Sequence, residues 1–98
     1  MKHHDLEISL GKACDSSNVS TIVEGRKEIM AMPKDYIVEN VHKIAERILD
    51  LNDEWHFRRL LELYEQVSKK LLNDLIQIGI KSKNIEVVEA ATDFQKQL

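Results

Sequence analysis

Apolar residues recur along this chain at intervals of three and four, the spacing that lines one face of an α-helix. Leu6, Leu10, Ala13 and Cys14 form the first such stripe. It runs into Asp15-Ser16-Ser17-Asn18, short polar side chains suited to capping a following helix. That second helix is expected to bury Val19, Ile22, Val23, Ile29 and Met30 and to stop before Pro33. Proline suits the first turn of a helix, where its missing N–H costs nothing, so a third helix is expected from about Pro33 to Asp50. Its stripe of Ile37, Val38, Val41, Ile44, Ala45, Ile48 and Leu49 is wide enough to face two neighbours.

Asn52-Asp53 caps a fourth helix with Phe57, Leu60, Leu61, Tyr64 and Val67 inward. Ser68 caps a fifth with Leu71, Leu72, Leu75, Ile76 and Ile80, its end marked by Gly79 and by Lys81-Ser82-Lys83-Asn84. A sixth carries Val87, Val88, Ala91 and Phe94. No segment alternates with period two for long enough to make a strand, so the pattern predicts an all-α fold. Helix starts near residues 5, 19, 34, 53, 69 and 84 put the odd-numbered helices at a period of roughly 30–35 residues. Short connections make successive helices antiparallel. The expected architecture is three antiparallel helical hairpins in a single helical-repeat domain, residues 1–98; the alternative is an irregular six-helix bundle with an accidental period.

Composition narrows the class. Of 98 residues, 43% are hydrophobic and 32% charged, too apolar for disorder and too charged for a membrane protein. The net charge is −3 and similar in both halves, with no basic tail or stripe to draw a phosphate backbone, so nucleic acid is a disfavoured partner. Met1 to Glu7 has no apolar signal core, and no apolar run approaches the ~20 residues of a membrane span. The single Cys14 suits a reducing compartment, which points to the cytoplasm.

The stretch from Asn84 to Ala91 resembles the second helix of a HEAT-type repeat: Asn84 opens the helix, and Val87, Ala90 and Ala91 fit the pattern, while Val88 stands where the family has arginine. Leu71 to Ile80 is similar to the first helix of such a repeat. The resemblance covers residues 53–94 by motif and 1–52 by topology only. Asp53-Glu54-Trp55 followed by Arg58-Arg59-Leu60-Leu61 also resembles small helical-repeat proteins of the bacterial toxin-neutralising, immunity type. Either resemblance implies a HEAT-like α-α superhelix that binds another protein through exposed helix faces and is not an enzyme.

Candidate chemistry is sparse. Asp50, Asn52 and Glu54 alternate like a calcium loop, but Trp55 occupies the position that needs glycine and Leu61 that of the bidentate glutamate. His42 and Glu46 share a helical face, yet no second histidine pair joins them and His56 belongs to another helix. Cys14 lies on an apolar stripe, as a buried, inert thiol does. The carboxylate pairs Glu62/Glu65 and Glu86/Glu89 read as solvated faces. No cofactor or metal is implied. The competing reading is a DNA-binding helix-turn-helix over residues 71–94, with Gly79 in the turn, four residues after Leu75, and Ile80, Ile85 and Val88 clamping two helices. Leu75 fills a position that wants alanine, and the reading helix would present Glu86 and Glu89 to phosphates.

One surface feature stands out. At about 100° per residue, Trp55 falls opposite Phe57 and shares a face with Arg59, Glu62 and Gln66. Trp55 and Arg59, one turn apart, can stack as a cation–π pair, and Trp, Tyr and Arg are enriched at binding hot spots. Two readings stand: Trp55 folds back on Leu51 to close an interhelical gap, or Trp55, Arg58, Arg59 and Glu62 form a contact patch for a protein partner. Apolar area at Phe94 and Leu98 further suggests weak self-association through the last helix.

Overall fold

The computed structural model describes residues 4–97, and every regular element among them is an α-helix. In order these are α1 (His4–Cys14), α2 (Val19–Met30), α3 (Lys34–Ile48), α4 (Glu54–Val67), α5 (Lys69–Ile80) and α6 (Ile85–Lys96). The fold is all-α, as the spacing predicts. The helix starts follow the caps. Asn18 Oδ1 accepts from the Thr21 N–H at 3.2 Å, and Asp53 Oδ1 accepts from the N–H groups of Trp55 and His56 at 2.8 and 3.3 Å. Ser68 Oγ accepts from Leu71 N–H at 3.3 Å, and Asn84 Oδ1 from Glu86 N–H at 2.9 Å. Each bond satisfies a donor that the first helical turn leaves unpaired. Pro33 stands at the N-cap of α3, one residue before the expected first turn, with φ −58° and ψ 133°.

The chain divides into two compact units, Met1–Leu49 and Asp50–Leu98. In the first, Ser9 of α1 meets Glu28 of α2, and Lys12 meets Glu24, so the two helices lie antiparallel. They approach closely because residue 25 is glycine: a Cβ there would fall 2.6 Å from the Ala13 backbone nitrogen and 2.7 Å from the Ser9 carbonyl oxygen. Arg47 near the end of α3 reaches Glu7 of α1 at 2.7 Å. Leu6, Leu10, Ile29 and Val41 are among the fully buried side chains of this unit.

The second unit is built around Phe57, Leu61 and Tyr64 of α4, all fully buried. Phe57, near the start of α4, lies against Gly79 near the end of α5, where a Cβ would come 2.5 Å from Phe57 Cζ and 2.7 Å from Ala91 Cβ. Asn84, opening α6, donates from Nδ2 to the Asn52 carbonyl oxygen at 2.7 Å, just ahead of α4. With Arg58 also reaching Asp93, α4 and α6 run side by side in the same direction. The end hairpins, α1 with α2 and α5 with α6, lie each within one unit, whereas α3 and α4 belong to different units.

Several positions differ from the pattern. Val19, Val23, Met30 and Val38 were expected inward and are exposed. Ile22, Gly25 and Ile29 occupy the inner line of α2, and a helix held so close to its neighbour at one glycine buries only that narrow line. Leu63 and Ala90, outside the expected stripes, are fully buried. Gly79 is the next-to-last residue of α5, which ends at Ile80 as the pattern expects. Phe94, expected to leave apolar area at the C-terminal end, is buried, and Leu98 lies outside the described residues.

Candidate contact face on α4

Six buried residues of α4, from Phe57 to Val67, occupy an arc of about 160° around the helix. The remaining arc carries Trp55, Arg58, Arg59, Glu62, Glu65 and Gln66. Trp55 is 42% exposed. The Arg59 guanidinium lies over its ring, 4.0 Å from the centroid, as the one-turn spacing allows. Arg59 Nη1 also donates to Glu62 Oε2 at 2.7 Å. Arg59 Nε is buried and donates no hydrogen bond to the described residues. The cation is therefore partly removed from water and held by the ring on one side and a carboxylate on the other. A desolvated cation–π contact is stronger than an exposed one.

Arg58 has a different placement. Its Nε donates to Glu54 Oε2 at 3.1 Å, and its Nη2 lies 3.6 Å from Asp93 Oδ2 of α6. It ties α4 to α6 at the edge of the face. Trp55, Arg59 and Glu62 thus form one constellation, with Arg58 beside it. Sequence spacing identified the stack; the Asp93 partner of Arg58 was missed, because Asp93 is brought near only by the packing of α6.

The loop before α4 is explained without a ligand. Asn52 N–H donates to Asp50 Oδ1 at 2.9 Å, and Asp50 N–H donates to His56 Nδ1 at 3.0 Å, so these groups close the turn. His42 Nε2 lies 3.6 Å from Glu46 Oε2 on the face predicted for them. Among the described residues, no group of three or more His, Cys, Asp or Glu side chains is placed to hold a metal ion. None of the described helices is long and apolar enough to cross a membrane. The helix-turn-helix reading places glycine in the turn; Gly79 is the next-to-last residue of α5, its carbonyl accepts from the Ser82 N–H at 3.0 Å, and no described residue has a left-handed φ. Ile85, expected as one of its clamping residues, is 67% exposed.

The first unit holds a second polar cluster that the sequence pattern did not reveal. Glu28 accepts from Ser9 Oγ at 2.7 Å and from Lys12 Nζ at 2.8 Å, with Glu24 3.4 Å from the same ammonium. Beside it lies an open pocket of about 290 Å³ lined by Asp5, Ile8, Ser9, Glu28 and Met32, of which Glu28 is thus already engaged. The hydrogen bonds from Lys12 and Ser9 hold the Glu28 carboxyl below its ordinary value of 4.5. The bond to Glu28, aided by the charge of Glu24, raises Lys12 above 10.5. A depressed carboxyl contributes stability that is present above 4.5 and lost as pH falls through its folded value. A raised ammonium contributes stability present below 10.5 and lost as pH rises through its folded value. Glu28→Gln should therefore flatten part of the acid-side fall in melting temperature below pH 4.5, read by circular dichroism. An acid limb identical to that of the parent protein would contradict the linkage.

None of the protein-family models, curated proteins and solved structures compared with this chain matches it. Its functional reading rests on its own geometry.

Proposed function

We propose that this protein is a non-enzymatic protein-binding module with α4 as its contact face. Trp55 is the anchor, Arg59 and Glu62 hold it, and Arg58 borders it. The observation that carries the reading is the Trp55 ring, exposed yet locked by the Arg59 guanidinium 4.0 Å from its centroid. An aromatic side chain fixed before binding loses little freedom on association, which is how a small surface can dominate an interface. The HEAT-like hairpin array and the immunity-type role belong to this proposal as its more specific forms. So does a cytoplasmic setting, where a single buried thiol such as Cys14 stays reduced.

Trp55 is the only tryptophan, so its fluorescence reports one site. Emission of the unbound protein should be red-shifted and readily quenched by acrylamide. Trp55→Ala should change folding stability by no more than about 0.5 kcal/mol. Affinity for a protein partner should fall by about 2 kcal/mol or more, measured by calorimetry on a partner retained by the parent protein. A blue-shifted, unquenchable emission, or a stability loss of about 3 kcal/mol, would show a structural tryptophan and end the proposal. Tight binding to mixed-sequence DNA that collapses steeply with salt would favour the helix-turn-helix reading instead.

A further inference from the structure

The α4 face continues across its edge onto α6. Glu54, Arg58 and Glu65 fall within an arc of about 40° on α4, and Glu86, Glu89 and Asp93 within about 60° on α6. The Arg58–Asp93 ion pair at 3.6 Å joins the two stripes, so they lie side by side on the outside of the second unit. Arg58 is shared between Asp93 and Glu54, the latter at 3.1 Å, and Arg59 is paired with Glu62 at 2.7 Å. Glu65, Glu86 and Glu89 are exposed and make no ion pair among the described residues.

The charge of this surface is one-sided. To the five carboxylates of the two stripes it adds Glu62, against three cations, Arg58, Arg59 and Lys96 at the end of α6. Six negative and three positive charges leave −3, which equals the net charge of the whole chain, so the remaining residues are neutral in sum.

We propose, resting on α4 as the contact face, that its partner is a basic protein surface, which packs an apolar group on Trp55 and sets lysine or arginine side chains against Glu65, Glu86 and Glu89. A carboxylate covered by a partner loses its water, and without a cation opposite it that loss is uncompensated. A neutral or acidic partner would leave three such groups, whereas a basic one pairs each of them. The same field draws a basic surface in before contact and repels the phosphates of nucleic acid. Glu86 to Asp93 spans about 10 Å of α6, two helical turns, so basic residues three and four apart on a partner helix match the stripe.

The probe is a synthetic amphipathic helix of leucine and lysine, with its glutamate counterpart as control, followed by calorimetry and by amide spectra of the isotope-labelled full chain. Binding of the lysine peptide with a Kd on the order of 100 µM is expected at low ionic strength, weakening several-fold between about 0.05 and 0.3 M salt. Spectral shifts should concentrate on α4 and α6. Glu65→Lys and Glu89→Lys, one on each helix, should each weaken binding at least about fivefold with unchanged melting temperature, because both side chains are exposed. Glu39→Lys, at an exposed glutamate of α3 in the first unit, makes the same change in net charge and should weaken it less than about twofold. An equal effect of Glu39→Lys overturns the proposal, as does equal binding of the glutamate peptide or of mixed-sequence DNA, or no binding of the lysine peptide at about 1 mM. Sensitivity to Trp55→Ala combined with indifference to both charge reversals overturns the basic partner and leaves the contact face standing. The opposite pattern upholds the basic partner and removes Trp55 as its anchor.

Discussion

Leu61→Ala should lower the unfolding free energy by about 2–5 kcal/mol, measured by denaturant titration with far-ultraviolet circular dichroism as the probe. Leu61 is fully buried beside Phe57, Leu60 and Tyr64 in the core of the second unit. Truncation removes the transfer free energy of three buried carbons and leaves a hole that rigid neighbours cannot fill. Against the ~5–15 kcal/mol that holds most small proteins folded, such a loss would leave a large unfolded fraction in mild denaturant. A loss below about 1 kcal/mol would mean that α4 turns a different face to its neighbours.

Gly25→Ala is the second large effect, and its sign opposes helix propensity. Alanine in an exposed helix interior is better than glycine by about 1 kcal/mol. Here the added methyl would stand 2.6 Å from the Ala13 nitrogen and 2.7 Å from the Ser9 carbonyl oxygen, and backbone atoms cannot swing aside. The two helices must separate, which strains the Ser9–Glu28 and Lys12–Glu28 bonds as well. A net loss of about 2 kcal/mol is expected, read by far-ultraviolet circular dichroism on heating. Gly79→Ala should behave alike through Phe57 and Ala91, somewhat more mildly because side chains and not backbone oppose it. Gly11→Ala is the control: nothing lies within 4 Å of its Cβ position, so propensity should win and stability should rise. Stabilisation by Gly25→Ala would refute the close crossing of α1 and α2.

The α4 face shows where local and long-range information part. The Trp55–Arg59 stack lies within one helical turn, so the spacing of two residues was enough to anticipate it. The link from Arg58 to Asp93 spans two helices and has no counterpart in the pattern. The Ser9–Glu28–Lys12 cluster was missed for the same reason: its members are 16 to 19 residues apart in sequence.

Gly79 looked like punctuation at a helix end, and the helix-turn-helix alternative was built on that. In the structure it is the next-to-last residue of α5, and its missing side chain also makes room for a phenylalanine ring. Glycine has two uses, to turn a chain and to admit a neighbour, and one sequence does not distinguish them.

Helix number, type and boundaries were legible from the chain alone. Apolar periodicity and the capping side chains of Asn18, Asp53, Ser68 and Asn84 act within a few residues and leave their mark in order along the sequence. Which apolar residues are buried was decided only by tertiary packing. Val19, Val23 and Met30 belong to a helix whose inner line is set by one close approach at Gly25, so they face outward despite their hydrophobicity. A helix has more apolar residues than neighbours to cover them, and only the arrangement of those neighbours in space determines which ones are left on the surface.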